Sequence, residues 1–237
     1  MSASAPSLAL APANRGHRSV NRRRPGDTLR AMANTTYTPI EYKANDYSGL
    51  KGLHGITDEQ IEVHLKLYNG YVNRTNALLA KTAKMANDGQ HADSSYQELK
   101  RRAGWEWNGM RLHEYYFDNL GASGALNPAQ SPFAARVEAQ FGSVDAWKAD
   151  LMGVAKMPGV GWAITYLDPK NGQIWNHWIN QHEVGHPSGA LPMLVLDVWE
   201  HAFSVYRKPT DRPAYLEDFF ANVCWDTVGK RLTAAGI

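Results

Sequence analysis

Thr57-Asp58-Glu59-Gln60-Ile61-Glu62-Val63-His64 opens the first strong element of this chain. A threonine followed three residues later by glutamine has the spacing of a capping box, in which each side chain satisfies a backbone N–H left free by the helix start. Ile56 and Ile61 flank that start at the positions of a hydrophobic staple. The pattern predicts a helix from 57 to about 87, with Ile61, Leu65, Tyr68, Val72 and Leu79 as its inward stripe. Asn69-Gly70 falls inside it and costs local stability, so an irregularity is expected there. A second long helix is expected over about 95–120, stopping at Gly121. The short polar link at 88–94 makes the two an antiparallel hairpin.

The second half has a different texture. Ser131-Pro132 and Ser143 open two shorter helices, the first ending at Gly142. Residues 160–167 and 173–179 are rich in aromatic and branched side chains, and Asp168-Pro169-Lys170-Asn171-Gly172 lies between them, which is a hairpin signal. Met193-Leu194-Val195-Leu196 reads as a short buried third strand, and helices follow from about Pro213. The expected fold class is α+β: an N-terminal antiparallel helical hairpin, then a small three-stranded antiparallel sheet covered by helices. The expected organisation is a leader at 1–40, a hairpin domain at 41–125 and an α/β domain at 126–237.

Composition excludes several classes. Hydrophobic residues at 43% and charged residues at 20% are ordinary for a globular chain. No apolar run reaches the roughly 18 residues that cross a bilayer, so no membrane role is expected. The single cysteine, Cys224, rules out an intramolecular disulfide and a cysteine-based zinc site, and fits a reducing compartment. Eight tryptophans and eleven tyrosines imply a ring-rich helical interface. The net charge of +2 conceals an asymmetry: residues 1–31 hold six arginines and one acid, leaving the remainder at −3. A nucleic-acid partner is therefore not expected for the body. The Arg- and Ser-rich leader reads as a plastid or mitochondrial transit peptide, or as sequence ahead of a true start at Met32. A nucleic-acid-binding arm at Arg22-Arg23-Arg24 ranks third. The expected location is a bacterial-type cytoplasm, or a chloroplast if the leader is a transit peptide.

Asp197-Val198-Trp199-Glu200-His201 is the best local candidate for chemistry. It follows an apolar strand that would carry a carboxylate and an imidazole into the interior, and a buried carboxylate needs a cation or dedicated donors. The competing reading is a salt-bridged strand end with a surface histidine. His64 lies on the stripe of the first long helix and His113 in the second, inside Trp105-Glu106-Trp107-Asn108-Gly109-Met110-Arg111-Leu112-His113. Taken singly, each reads as a hydrogen-bonded core histidine. Facing one layer from an antiparallel hairpin, they join Asp197 and His201 in a set of three imidazoles and a carboxylate that suits Fe, Mn or Zn.

At this point the sequence resembles a known family. Asp-Val-Trp-Glu-His-Ala-Phe at 197–203 resembles the signature of the iron/manganese superoxide dismutases, and the resemblance extends over about 38–235. Ile61-Glu62-Val63-His64 with Tyr71-Val72 and Asn76 resembles the first ligand helix, and Met110-Arg111-Leu112-His113-Glu114-Tyr115-Tyr116-Phe117 the second. Phe141-Gly142-Ser143, Gly159-Val160-Gly161-Trp162 and Arg212-Pro213-Ala214-Tyr215-Leu216 follow in the family's order. The resemblance implies redox cycling of one Fe or Mn ion per subunit, with a lean to iron, turning superoxide into oxygen and hydrogen peroxide. It implies His64, His113, Asp197 and His201 as ligands, Tyr71 at the channel mouth, and His182 as partner of the solvent ligand, since Gly109 has no side chain for that part. Trp162 and Trp107 would wall the site and Arg212 would steer the anion.

Two departures stand out. Relatives place the channel tyrosine eight residues after the first ligand, whereas Tyr71 follows His64 by seven. One residue is about 100° of helix, which leaves the direction of Tyr71 open. Ser204 stands where relatives carry a tyrosine that meets a partner-subunit histidine, and Tyr68 stands in that histidine's place. A homodimer is expected, with Tyr68 reaching across and Glu200 bonding to His201 of the partner subunit. Competing classes are a metal-holding relative without turnover, a nucleic-acid-associated protein acting through the leader, and an iron oxygenase with two histidines and one carboxylate.

Overall fold

The computed structural model of this chain describes residues 36–121 and 131–236. Residues 1–35 of the expected leader lie outside the described residues, whereas Tyr37, within its last five, exchanges two hydrogen bonds with Asn87. Residues from Tyr37 onward cluster as one unit, and the boundary expected near 125 falls within 122–130, also outside them.

Two long helices form the expected hairpin: α1, Asp58–Asn87, and α2, Ser94–Asp118. Thr57 caps α1 by accepting from the Gln60 N–H at 3.2 Å, and Ile56 and Ile61 are both buried at its start. The other half of the capping box does not form, because the Gln60 side chain is used elsewhere. The helix runs through Asn69-Gly70 without a break. Its buried stripe continues from Val72 through Thr75, Leu78 and Thr82, with Leu78 more deeply buried than Leu79. Asp93 caps α2 by accepting from the Ser95 N–H at 2.7 Å.

Beyond residue 130 come α3, Pro132–Phe141, and α4, Val144–Ala155, each started by a serine side chain. The strands are β1, Gly161–Leu167, β2, Ile174–Asn180, and β3, Leu191–Asp197. They form one antiparallel sheet in the order β2-β1-β3. The central strand β1 is buried along its whole length, and Trp162 pairs with Ile179 on one side and Asp197 on the other. The C-terminal helices are α5, Arg212–Ala221, and α6, Trp225–Ala234.

Helix α2 packs along β3, while α4 covers β1 and β2. Asn119, just past α2, donates to the Val195 carbonyl of β3 at 2.8 Å, which fixes the helix against the strand that ends in Asp197. On the helix-covered side, Trp147 is fully buried among Phe133, Phe220 and Trp225 and donates to Thr165 at 3.2 Å. These rings fill the space between layers, and each buried aromatic contributes a large apolar area.

The turn after β2 is tight. Asn180 and Val184 exchange backbone hydrogen bonds of 2.9 and 3.3 Å, and Gln181 adopts φ 57°. A non-glycine residue in the left-handed region costs about 1–2 kcal/mol. Gly161 lies beneath this turn, where a Cβ would come within 2.0 Å of the Ile179 carbonyl oxygen.

Gln181→Gly removes the strain but adds unfolded-state entropy worth about 0.4–1 kcal/mol. The net expectation is a stabilisation of about 0.5–1 kcal/mol, read from the urea midpoint at constant m-value. A lowered midpoint would show that the turn holds no such strain.

Candidate metal centre

Four elements converge on one point. Helix α1 supplies His64, α2 supplies His113, the end of β3 supplies Asp197, and the short 3-10 turn Glu200–Ala202 supplies His201. The Oδ2 of Asp197 lies 3.1 Å from His64 Nε2, 3.2 Å from His201 Nε2 and 3.8 Å from His113 Nε2. His64, His113 and Asp197 are fully buried, and His201 is partly so.

Three of the four members are held from behind. The other Asp197 oxygen accepts from the Trp199 N–H at 2.8 Å, and the Asp197 carbonyl accepts from the Tyr215 hydroxyl at 2.7 Å. His113 donates from Nδ1 to the Gly109 carbonyl one turn back, which leaves the Nε2 lone pair pointing inward. Gln60 donates to the His201 carbonyl at 2.7 Å and accepts from the Val205 N–H at 3.0 Å, so the start of α1 clamps the turn that carries His201. That clamp is the reason the capping box stays half formed.

The electrostatics suit a cation. Burial pushes the Asp197 carboxyl up, but His201 and then His64 outweigh it and hold the group below the usual carboxylate range. Burial pulls both His64 and His113 down, so these imidazoles are neutral. His113 Nε2 is buried and has no hydrogen-bond partner among the described residues. A buried lone pair facing an anionic oxygen is costly unless a cation lies between them. The four ligand atoms all lie within 4.8 Å of one another, close to the ~4 Å limit for atoms each about 2.0–2.2 Å from one ion. The donor set fits a bound Fe or Mn ion.

A second layer surrounds this set. His182 is buried, and its Nδ1 accepts from the Trp162 indole N–H at 3.1 Å. Indole only donates, so in the neutral ring Nε2 carries the proton and donates to the Tyr71 oxygen at 2.7 Å. Burial lowers His182 to about 4, which keeps the ring neutral. Tyr71 stacks on His113 with ring centroids 5.3 Å apart. It fits there because Gly109 has no side chain: a Cβ would lie 2.5 Å from the tyrosine ring. The seven-residue spacing is what a regular helix needs, since seven residues fall about 20° short of two full turns. Tyr71 and His64 therefore share one face.

Other expected residues lie differently. Trp107 faces away, 39% exposed, and donates to the Tyr42 hydroxyl at 3.0 Å. The wall is made instead by Trp105, 4.8 Å from the His182 ring, and by Trp199, which stacks on His182 at 4.8 Å and on His201 at 5.6 Å. Trp105 lies about 80° from His113 around α2 and Trp107 about 120°, a difference that helical spacing alone would have revealed. Tyr68 does not reach outward. It is fully buried within the subunit, donates to Glu114 at 3.1 Å and accepts from the Asn45 N–H at 2.9 Å. Arg212 donates to the Met157 and Gly159 carbonyls at 2.9 and 2.8 Å, holding the turn before β1. Glu200 and Ser204 are exposed beside His201.

Comparison with known proteins agrees with this geometry. Residues 129–231 match the family described as iron/manganese superoxide dismutases, C-terminal domain. The chain is 35% identical over 199 residues to a superoxide dismutase [Fe] of Aquifex pyrophilus, covering 80% of this chain and 90% of the relative. It is 32% identical over 174 residues to a superoxide dismutase [Mn/Fe] of Aeropyrum pernix, covering 73% and 80%. It is 29% identical over 206 residues to a superoxide dismutase [Mn] of Mycolicibacterium smegmatis, covering 86% and 95%. Since these likenesses span both the hairpin and the sheet that together bring the four ligand residues into contact, the chain belongs to the iron/manganese superoxide dismutase family.

Proposed function

We propose that this chain disproportionates superoxide into oxygen and hydrogen peroxide, with iron or manganese held by His64, His113, Asp197 and His201. The observation that carries the reading is the approach of three imidazole nitrogens to one oxygen of a buried carboxylate. When bound, the ion supplies the one-electron chemistry, accepting an electron from one superoxide and returning it to a second.

The residues of the chain set the conditions for that exchange. Asp197 and the neutral imidazoles fix the charge of the site, and their supporting bonds fix its shape. Peroxide formation consumes two protons, and Tyr71 is positioned to pass them. Its oxygen already accepts from His182 Nε2, so its own proton is free to point into the site. Burial pushes the Tyr71 hydroxyl up, so it stays protonated. Trp105, Trp162 and Trp199 pack against His182 and exclude water from the reacting groups. Arg212 is assigned to the shape of the site through the 157–159 turn rather than to direct anion contact. A homodimer is proposed through the exposed Glu200 and Ser204 beside His201.

His113→Ala is expected to lower metal affinity by at least about 100-fold and to abolish turnover with it, measured as Fe and Mn content and dismutation rate on one preparation. Metal at one ion per subunit in that variant would overturn the ligand set. Tyr71→Phe should keep its metal and lose about tenfold in turnover; an unchanged rate would remove the tyrosine from the proton path.

Acid should destabilise the metal-free protein. His182 titrates at about 4 when folded against 6.5 for the free ring, so between those values the unfolded chain binds more protons. Its contribution is complete above about 6.5 and is lost as the pH falls toward 4. Asp197, held low when folded, acts in the same direction at still lower pH. Unfolding free energies from urea titrations between pH 7 and 4 should fall by an amount on the order of 2 kcal/mol, and a flat profile would contradict the burial of His182.

A further inference from the structure

His186 takes no part in the centre itself, yet it is bonded to the residue that faces Tyr71. Its Nε2 lies 2.9 Å from the His182 carbonyl oxygen, and its Nδ1 lies 2.7 Å from the Tyr166 hydroxyl. A carbonyl oxygen only accepts, so Nε2 carries the proton and donates. In the neutral ring Nδ1 is then the acceptor, and Tyr166 donates to it. Every polar atom of this pair has one assigned role. Tyr166 is buried in β1, four residues after Trp162, which holds the other end of His182 through its Nδ1.

The turn between these anchors resists its own conformation. Gln181, immediately before His182, sits at φ 57°. The turn is closed by the Asn180–Val184 pair and by His177, which donates from Nε2 to the Gly185 carbonyl at 2.9 Å. His186 is the only side chain among the described residues recorded as bonding to the backbone of His182.

We propose that His186, held by Tyr166, is a positioning residue for superoxide dismutation. It pins the His182 carbonyl, keeps the strained turn closed and so holds His182 Nε2 within reach of Tyr71. This inference rests on the function proposed above. His186 touches neither the substrate nor the four ligand residues, and it acts through His182 alone.

The test uses the full, metal-loaded chain with His186→Phe, which keeps a ring and removes both hydrogen bonds. The variant should retain its metal, lose about tenfold in kcat, and show about tenfold faster amide exchange confined to residues 180–186. Adding Gln181→Gly should recover most of the lost kcat, because a relaxed turn no longer needs the latch. Tyr166→Phe removes a single hydroxyl and should show the same pattern at about threefold; it serves if His186→Phe fails to fold. Faster exchange in the turn with unchanged kcat would overturn the proposal, as would unchanged exchange in the turn. A wild-type protein that binds metal without turnover would refute the functional reading instead, and the exchange data would then judge the latch alone.

Discussion

The structure depends on an ionised carboxylate at the buried end of a strand. Asp197 has no exposed surface, and the burial that surrounds it opposes its charge. Three imidazoles from different elements face the same oxygen, and two of them are fully buried and neutral. Such a group of acceptors is unfavourable by itself and becomes favourable around a cation. The hairpin, the sheet and the turn at 200–202 can all be understood as the supports this arrangement requires. Asn119 ties α2 to β3, Gln60 ties α1 to the His201 turn, and Tyr215 ties α5 to Asp197.

Much of the fold was legible because its signals are local. Thr57 and Ile56 announce the start of α1, Asp168-Pro169-Lys170-Asn171-Gly172 announces the hairpin between β1 and β2, and the apolar run before Asp197 announces β3. Gly142 ends α3 in the left-handed conformation that a helix stop favours. The ligand residues were less legible from pattern alone. His64 and His113 occupy positions that a core histidine would occupy equally well, and it took both the antiparallel hairpin and their likeness to a family's motifs to join them to Asp197 and His201.

What escaped the sequence depends on contacts between distant residues. Gln60 has the spacing of a capping residue, yet its amide bonds to a carbonyl 141 residues away. Tyr68 was placed at a subunit contact by likeness of position, while the Glu114 carboxylate and the Asn45 N–H hold it inside. Trp105 and Trp107 are the exception: they are alike in type and differ in azimuth around α2, which helical spacing does encode. Tyr71 is the converse case: a departure from the family's spacing is matched by the missing side chain of Gly109, and the ring still reaches His182.

The contact between His64 and Asp197 closes 133 residues of chain. On a ribosome, the hairpin emerges first with two imidazoles that have no partner, and it must wait for most of the remaining sequence before Asp197 appears. Loop closure of this length is entropically slow, and a half-made core with exposed rings is prone to association. The centre therefore cannot mature as a local motif while synthesis is under way. Its assembly is a late event that waits on the end of β3, so chains cut before Asp197 would keep the hairpin's histidines and lack the anion that makes them a site.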